Sequence, residues 1–247
     1  MWKRGQSTAF VIVGILVIAV AILLTWVKQS GVESGFETDI AARTTFPPHI
    51  QAVRSVIDSC LDEAINEGVI ILGLQGGYYQ QQKATLPTEI ASFSYWAKDG
   101  VQVNPSLERM QTEMSRLLQD KMALCVNPNK FTARVTLETP AVVTTIQDSQ
   151  MNVQLNYPVS ITKDGSASQI KEPYNKVINI QLGKMRALGV KVMRGALLDV
   201  NNIDLSLLLD SGFHVEVTPL GDDVVYAIKD KTNTMGGLPY QLIFVVN

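Results

Sequence analysis

Few residues in this 247-residue chain have the types and spacing that chemistry requires. Ser160 and Lys163 form an S-x-x-K pair, and "DKTN" at 230–233 faintly echoes a K-T-G strand. Ser160 falls in a strand pattern rather than at a helix start, and no S-D-N is present, so the nucleophile lacks its context. "DVNNID" resembles the opening of a calcium loop at Asp199 and Asn201, but Ile203 holds a ligand position and Asp204 stands where glycine is needed. Asp222 and Asp223 read as turn residues, and His214 alternates with apolar neighbours in "FHVEV", the setting of a strand histidine rather than a base. His49 is the other of two histidines, so Cys60 and Cys125 have too few companions to complete four metal ligands. Gly73, Gly76 and Gly77 lack the Gly-Lys-Ser/Thr ending of a phosphate loop and follow no strand; they read as a helix C-cap. Spacing brings no acid/base pair together, and neither catalysis, a cofactor nor a metal is expected.

The elements that would position these residues are coarse but readable. Ile50, Val53, Ile57, Cys60, Leu61 and Ala64 recur at helical spacing, as do Leu107, Met110, Met114, Leu118, Met122 and Cys125. The two stripes predict a packed helical pair over 48–126. Outside the cytoplasm a disulfide between Cys60 and Cys125 would close a loop of about 65 residues, whereas as free thiols both would serve as small core residues. Tyr78, Tyr79, Phe93, Tyr95 and Trp96 gather between the helices, either as a candidate contact surface or tucked into the core.

After Pro128 the period changes to two. "FTARVTLE", "AVVTTIQ", "MNVQLNYPVSIT" and "KVINIQL" predict an antiparallel sheet, with "KDGS" as a hairpin turn. "GKMRALGVKVMRGALL" predicts a helix, "FHVEV" and "VVYAIKD" a second hairpin, and "PYQLIFVVN" a buried final strand. Helices followed by strands make 127–247 the β-rich part of an α+β domain.

Between Gly5 and Val27 there is no charged residue, and Ala9–Val27 is long enough to span a bilayer at 1.5 Å per residue. Lys3 and Arg4 precede this run, so the positive-inside rule keeps the N-terminus cytoplasmic and places the rest outside. The expected layout is a transmembrane signal anchor (1–28), a stalk broken by glycines and Pro47-Pro48 (29–47), the helical pair (48–126) and the β-rich part (127–247). The chain carries 21 basic and 23 acidic residues with no Lys/Arg run, which argues against nucleic acid as a partner. The lipid bilayer is the expected partner of the anchor, with self-association or a cell-surface protein for the domain.

With these residues in place, "KRGQSTAF" resembles an archaeal class III signal peptide, the leader of type IV pilin-like proteins. The resemblance implies a peptidase cut between Gly5 and Gln6. Thr8 stands where serine is usual and Phe10 where glutamate is usual, and Phe10 favours a fixed anchor over a filament subunit. The layout of basic-Gly-Gln anchor, "DSCLDEAINEGVIILGLQGGYY" and a β-rich tail ending "GLPYQLIFVV" is similar to uncharacterised membrane-anchored archaeal proteins. The reading is therefore a single-pass, extracytoplasmic structural or binding protein, with a pilin-like filament subunit as the alternative.

Overall fold

Pro48 opens helix α1 (Pro48–Leu74), where a residue lacking an N–H and holding φ near the helical value fits the first turn. The structure, a computed structural model, describes residues 46–247 apart from 81, 83, 89–91, 199–204 and 236. The expected anchor, nearly all of the stalk, the Gly5–Gln6 junction and the Asp199/Asn201 segment lie outside the described residues. Among the described residues no helix is long and apolar enough to cross a membrane.

The stripe Ile50, Val53, Ile57, Cys60, Leu61 and Ala64 is buried as its spacing predicts, and it continues through Ile65, Val69 and Leu72. Gly76 and Gly77 end α1 at φ 65° and 93°. Their left-handed backbone lets the Gly77 N–H donate to the Leu72 carbonyl at 2.7 Å, the Schellman closure that satisfies a helix C-terminus. Helix α2 (Leu107–Cys125) starts at Ser106, whose hydroxyl accepts from the Arg109 N–H at 3.1 Å. Its Met110, Met114, Leu117, Leu118 and Met122 are fully buried, and α2 packs on α1. Cys60 and Cys125 form a disulfide across the pair, with Cα atoms 5.9 Å apart.

The segment between the helices is not a bare connection, and this corrects the helical pair drawn for 48–126. It contains β1 (Thr85–Pro87), β2 (Ser92–Lys98) and β3 (Val101–Gln102). Sequence periodicity missed β2 because "SFSYWAK" is buried across Ser94–Ala97, so apolar and polar residues do not alternate. β2 joins the C-terminal strands in a six-stranded sheet of order β1-β2-β12-β11-β10, with β3 also on β2. Here β10 is His214–Leu220, β11 Asp223–Met235 and β12 Leu238–Val246. β12 pairs with β2 in parallel, so this sheet is mixed where an antiparallel one was expected.

The remaining strands form two further three-stranded antiparallel sheets. One has the order β4 (Arg134–Leu137), β7 (Val159–Lys163), β8 (Ser166–Ile170); the other has β5 (Ala141–Ile146), β6 (Met151–Asn156), β9 (Tyr174–Ile178). They are one meander interrupted at a row of prolines. Pro140 divides β4 from β5, Pro158 divides β6 from β7, and Pro173 precedes β9. A proline cannot donate to a ladder, and the registers place the breaks side by side: Leu137 faces Val159 before the break and Ala141 faces Asn156 after it. "MNVQLNYPVSIT" is thus two strands in two sheets. The expected "KDGS" turn joins β7 to β8 through Asp164 and Gly165 at φ 50° and 80°.

Helix α3 (Leu182–Leu198) packs on β12 and β2, and a short helix α4 (Leu205–Asp210) leads into β10. Gly189 of α3 lies against the Trp96 ring, where an added Cβ would come within 2.6 Å of Cζ3. Trp96 in turn stacks on Phe244 with ring centroids 4.1 Å apart. Pro48–Asn247 thereby forms one compact unit.

The disulfide closes a loop spanning 65 residues. Replacing both cysteines, Cys60→Ser with Cys125→Ser, is expected to lower the unfolding free energy by about 4 kcal/mol, the chain-entropy value for such a loop. Urea unfolding of the oxidised and substituted proteins measures it; a loss below about 1 kcal/mol would contradict the staple role.

Candidate functional site

The residues singled out for chemistry do not converge. Ser160 lies on β7 and accepts from Gln169 Nε2 at 3.2 Å across the β7–β8 pair, while Lys163, three residues on, falls on the opposite face of the strand. His214 is 45% exposed on β10 and its Nε2 lies 3.4 Å from Glu216, which also pairs with Lys229. His49 sits in the first turn of α1. Asp223 accepts from the Asn247 amide at 2.9 Å, and the Asp222 carbonyl accepts from the same amide at 3.4 Å, so this turn ties down the chain end. Among the described residues no three His, Cys, Asp or Glu side chains are grouped to hold a metal.

Of the two readings of the aromatic segment, core or contact surface, burial of Tyr78, Tyr95 and Trp96 favours the core. Trp96 is fully buried and its indole donates to the Gly76 carbonyl at 2.8 Å. Tyr78 and Tyr95 are also buried, and the Tyr78 hydroxyl donates to the Val103 carbonyl at 2.8 Å. Tyr79 and Phe93 are half-buried, Phe93 against a cluster of Tyr95, Val225, Ile243 and Val245.

Two buried carboxylates stand out instead. Glu113 of α2 is 1% exposed. Its Oε2 accepts from the backbone N–H groups of Tyr79 and Gln80 at 3.1 and 3.0 Å, and its Oε1 lies 2.6 Å from the Arg109 guanidinium. The latter is a charge contact without hydrogen-bond alignment, since Oε1 has no hydrogen-bond partner. Glu113 therefore anchors the turn that follows α1. It sits beside Met110 and Met114 on the apolar stripe, and an acidic residue in that phase is the signal that sequence reading could have used.

Asp230 is also 1% exposed and lies at a register shift between β11 and β12. It accepts from the Thr232 N–H at 2.9 Å, the Thr232 hydroxyl at 2.6 Å, the Asn233 amide at 2.6 Å and the Gln181 amide at 3.2 Å. Burial alone pushes its pKa up, but the donors from Thr232, Asn233 and Gln181 together outweigh it and hold the carboxyl below the ordinary range. The "DKTN" stretch is this acceptor-centred bulge. A third polar cluster lies on the surface of α1, where Lys176 of β9 is 2.8 Å from both Asp58 and Asp62, and Arg54 is 3.3 Å from Glu172.

A shallow apolar groove of about 180 Å³ lies between the end of α1 and the β11–β12 turn, lined by Ile70, Leu74, Met235, Leu238, Pro239, Tyr240 and Gln241. Burial raises the pKa of Tyr240, and its hydroxyl has no hydrogen-bond partner among the described residues. The groove therefore offers mainly apolar contact, with Tyr240 and Gln241 as the polar side chains of its lining.

Geometry defines the class as a disulfide-stapled α+β domain whose buried charges brace turns and bulges. No family model matches the chain, and no curated protein or solved structure matches it.

Glu113→Ala leaves two backbone donors without their acceptor and Arg109 without its counter-charge, and is expected to cost about 2–4 kcal/mol of stability, with Glu113→Gln costing less. For Asp230, a folded-state pKa below the unfolded one gives stabilisation that is complete above about pH 4 and lost as pH falls through the lower value. The gap in urea midpoint between wild type and Asp230→Asn should be largest at neutral pH and narrow on acidification. A constant gap would show that the charge contributes nothing.

Proposed function

We propose that this chain is a membrane-anchored, extracytoplasmic structural or binding protein of the cell surface, acting without catalysis. The Cys60–Cys125 disulfide carries the reading. Disulfides persist in oxidising compartments and are rare in the reducing cytosol, and the uncharged Ala9–Val27 run behind Lys3-Arg4 supplies the means of reaching one. Support for a non-catalytic role comes from where the charged groups are used. Glu113, Asp230 and Lys176 are engaged in contacts that hold turns and elements together, so these groups are committed to structure rather than presented to a substrate.

A second reading rests on one specific observation, the "KRGQ" sequence before the apolar run. Cleavage between Gly5 and Gln6 would make this a pilin-like subunit whose anchor helices pack in a filament. Phe10, in place of the usual glutamate, argues for the fixed anchor.

The native protein is expected to sediment with membranes, its domain to be digested by protease added to intact cells, and its N-terminus to remain at Met1 or Trp2. Recovery in the soluble fraction or protection from outside protease would overturn the anchor. A start at Gln6 together with polymers would establish the pilin-like reading in its place.

A further inference from the structure

The outward face of the β5-β6-β9 sheet carries no charge. Along the central strand β6, the outward positions are Asn152, Gln154 and Asn156, a line of three carboxamides. Register places Thr145 and Val143 of β5 on one side of this line, opposite Asn152 and Gln154. On the other side, Val177 and Asn175 of β9 face the same two residues. Val143 and Val177 are 61% and 63% exposed. In a chain that is 18% charged, an exposed sheet face holding neither Lys, Arg, Asp nor Glu is a departure, because charged residues are what ordinarily keep such faces from associating.

The β5 edge of the same sheet is already engaged by α2. The Thr144 and Ile146 N–H groups donate to Ser115 Oγ and Gln111 Oε1 of α2 at 3.0 and 2.9 Å. Helix side chains thus occupy donors that a further strand would need.

We infer that this face binds a second copy of the chain through the carboxamide row of β6. A carboxamide is both donor and acceptor and can therefore pair with its own copy, which neither a carboxylate nor an ammonium can do. A twofold axis along β6 sets Asn152, Gln154 and Asn156 each opposite itself. It also sets Val143 opposite the partner's Asn175 and Thr145 opposite the partner's Val177, within the small inclination that twisted sheets adopt when stacked. No like charges meet anywhere in this arrangement.

Outward residues repeat about every 6.8 Å along a strand and 4.8 Å across, so the patch covers about 300 Å². Stable interfaces bury about 800 Å² per partner. The contact is consequently weak in free solution and forms where copies are held at high local concentration. In that respect the inference rests on the membrane-anchored reading, because a shared membrane supplies such confinement.

The test uses the full-length chain in its own membranes, with Asn152→Cys, Gln154→Cys or Asn156→Cys made singly and treated with a short bifunctional maleimide, because stacked sheets lie about 10 Å apart and a direct disulfide needs Cα atoms within about 7 Å. Each on-axis cysteine should give covalent dimer in clear excess over Ser166→Cys, an exposed position at the β7–β8 turn. In the Asn152→Cys background, Gln154→Glu should reduce the dimer about fivefold, as should Gln154→Lys, because like charges then oppose each other across the axis. Mixing the Glu and Lys copies should restore it, a rescue that loss of folding would not show. Equal yields at Ser166 and the on-axis positions, adducts to a different protein, or no rescue by mixing would each overturn the inference. Repeating the maleimide cross-linking on purified full-length chain at millimolar concentration separates the two readings: a soluble chain that still shows the on-axis pattern rejects the anchor and keeps the face.

Discussion

A strand buried on both faces requires a covering layer on each side, and the run Leu242–Val246 of β12 imposes this on the rest of the domain. Phe244 turns to the side where Trp96 stacks on it, Tyr226 lies at 5.4 Å and Gly189 brings α3 close. Ile243 and Val245 turn to the other side, into the cluster of Tyr95 and Val225 against which Leu74, Leu86 and Phe93 pack. Each partner comes from a different part of the chain. The parallel pairing of β12 with β2 sets Val245 beside Tyr95 and Val246 beside Ala97, so the sheet closes only when the last residues meet the segment between the first two helices. Contacts so distant in sequence are costly in chain entropy. The Cys60–Cys125 bond removes part of that cost by fixing α1 to α2 around the segment that carries β2.

The meander meets the opposite constraint. Its strands alternate cleanly, with Met151, Val153 and Leu155 buried on one face of β6 and polar residues on the other. An open three-stranded sheet of this kind leaves edges and one wet face. Prolines 140, 158 and 173 interrupt the ladder across all three strands, which lets the sheet change direction without leaving a half-satisfied register. α2 covers the β5 edge with Ser115 and Gln111, so a helix that buries its methionines on one side supplies polar caps on another.

Periodicity made the local elements legible and left the long-range ones hidden. Helices α1, α2 and α3, strands β4 to β7 and β9, and the β10–β11 hairpin carry their period openly, whereas β8, "SASQI", is small and polar and does not; both stripes already placed Cys60 and Cys125 on facing surfaces. β2 was obscured because a strand buried on both faces has no alternation to read, and its parallel partner lies about 150 residues away, beyond any local signal. The single sheet expected after Pro128 proved to be two because Pro140, Pro158 and Pro173 were passed over, and only the register shows that the breaks coincide. Glu113 and Asp230 were missed for the same kind of reason. An acidic residue in phase with an apolar stripe looks like an exposed neighbour until the donors of Tyr79, Gln80, Thr232 and Asn233 are seen around it.

The placement of charge also bears on what the surface can recognise. A carboxylate saturated with donors is stabilised in its ionised form and is a poor proton acceptor, so Asp230, with its pKa lowered by its donors, is an acceptor for structure rather than a base for chemistry. The ion pairs of Lys176 with Asp58 and Asp62, and of Arg54 with Glu172, likewise join α1 to the sheet of β9. Charge is thus concentrated where elements meet, on the inward side of that sheet, while its outward side presents amides, the Thr145 hydroxyl and small apolar side chains. A face so composed cannot steer a charged partner from a distance. It can act only at contact, by matching shape and by hydrogen bonds that each side must complete. Such recognition favours a neighbour already held close and in register over one captured from dilute solution.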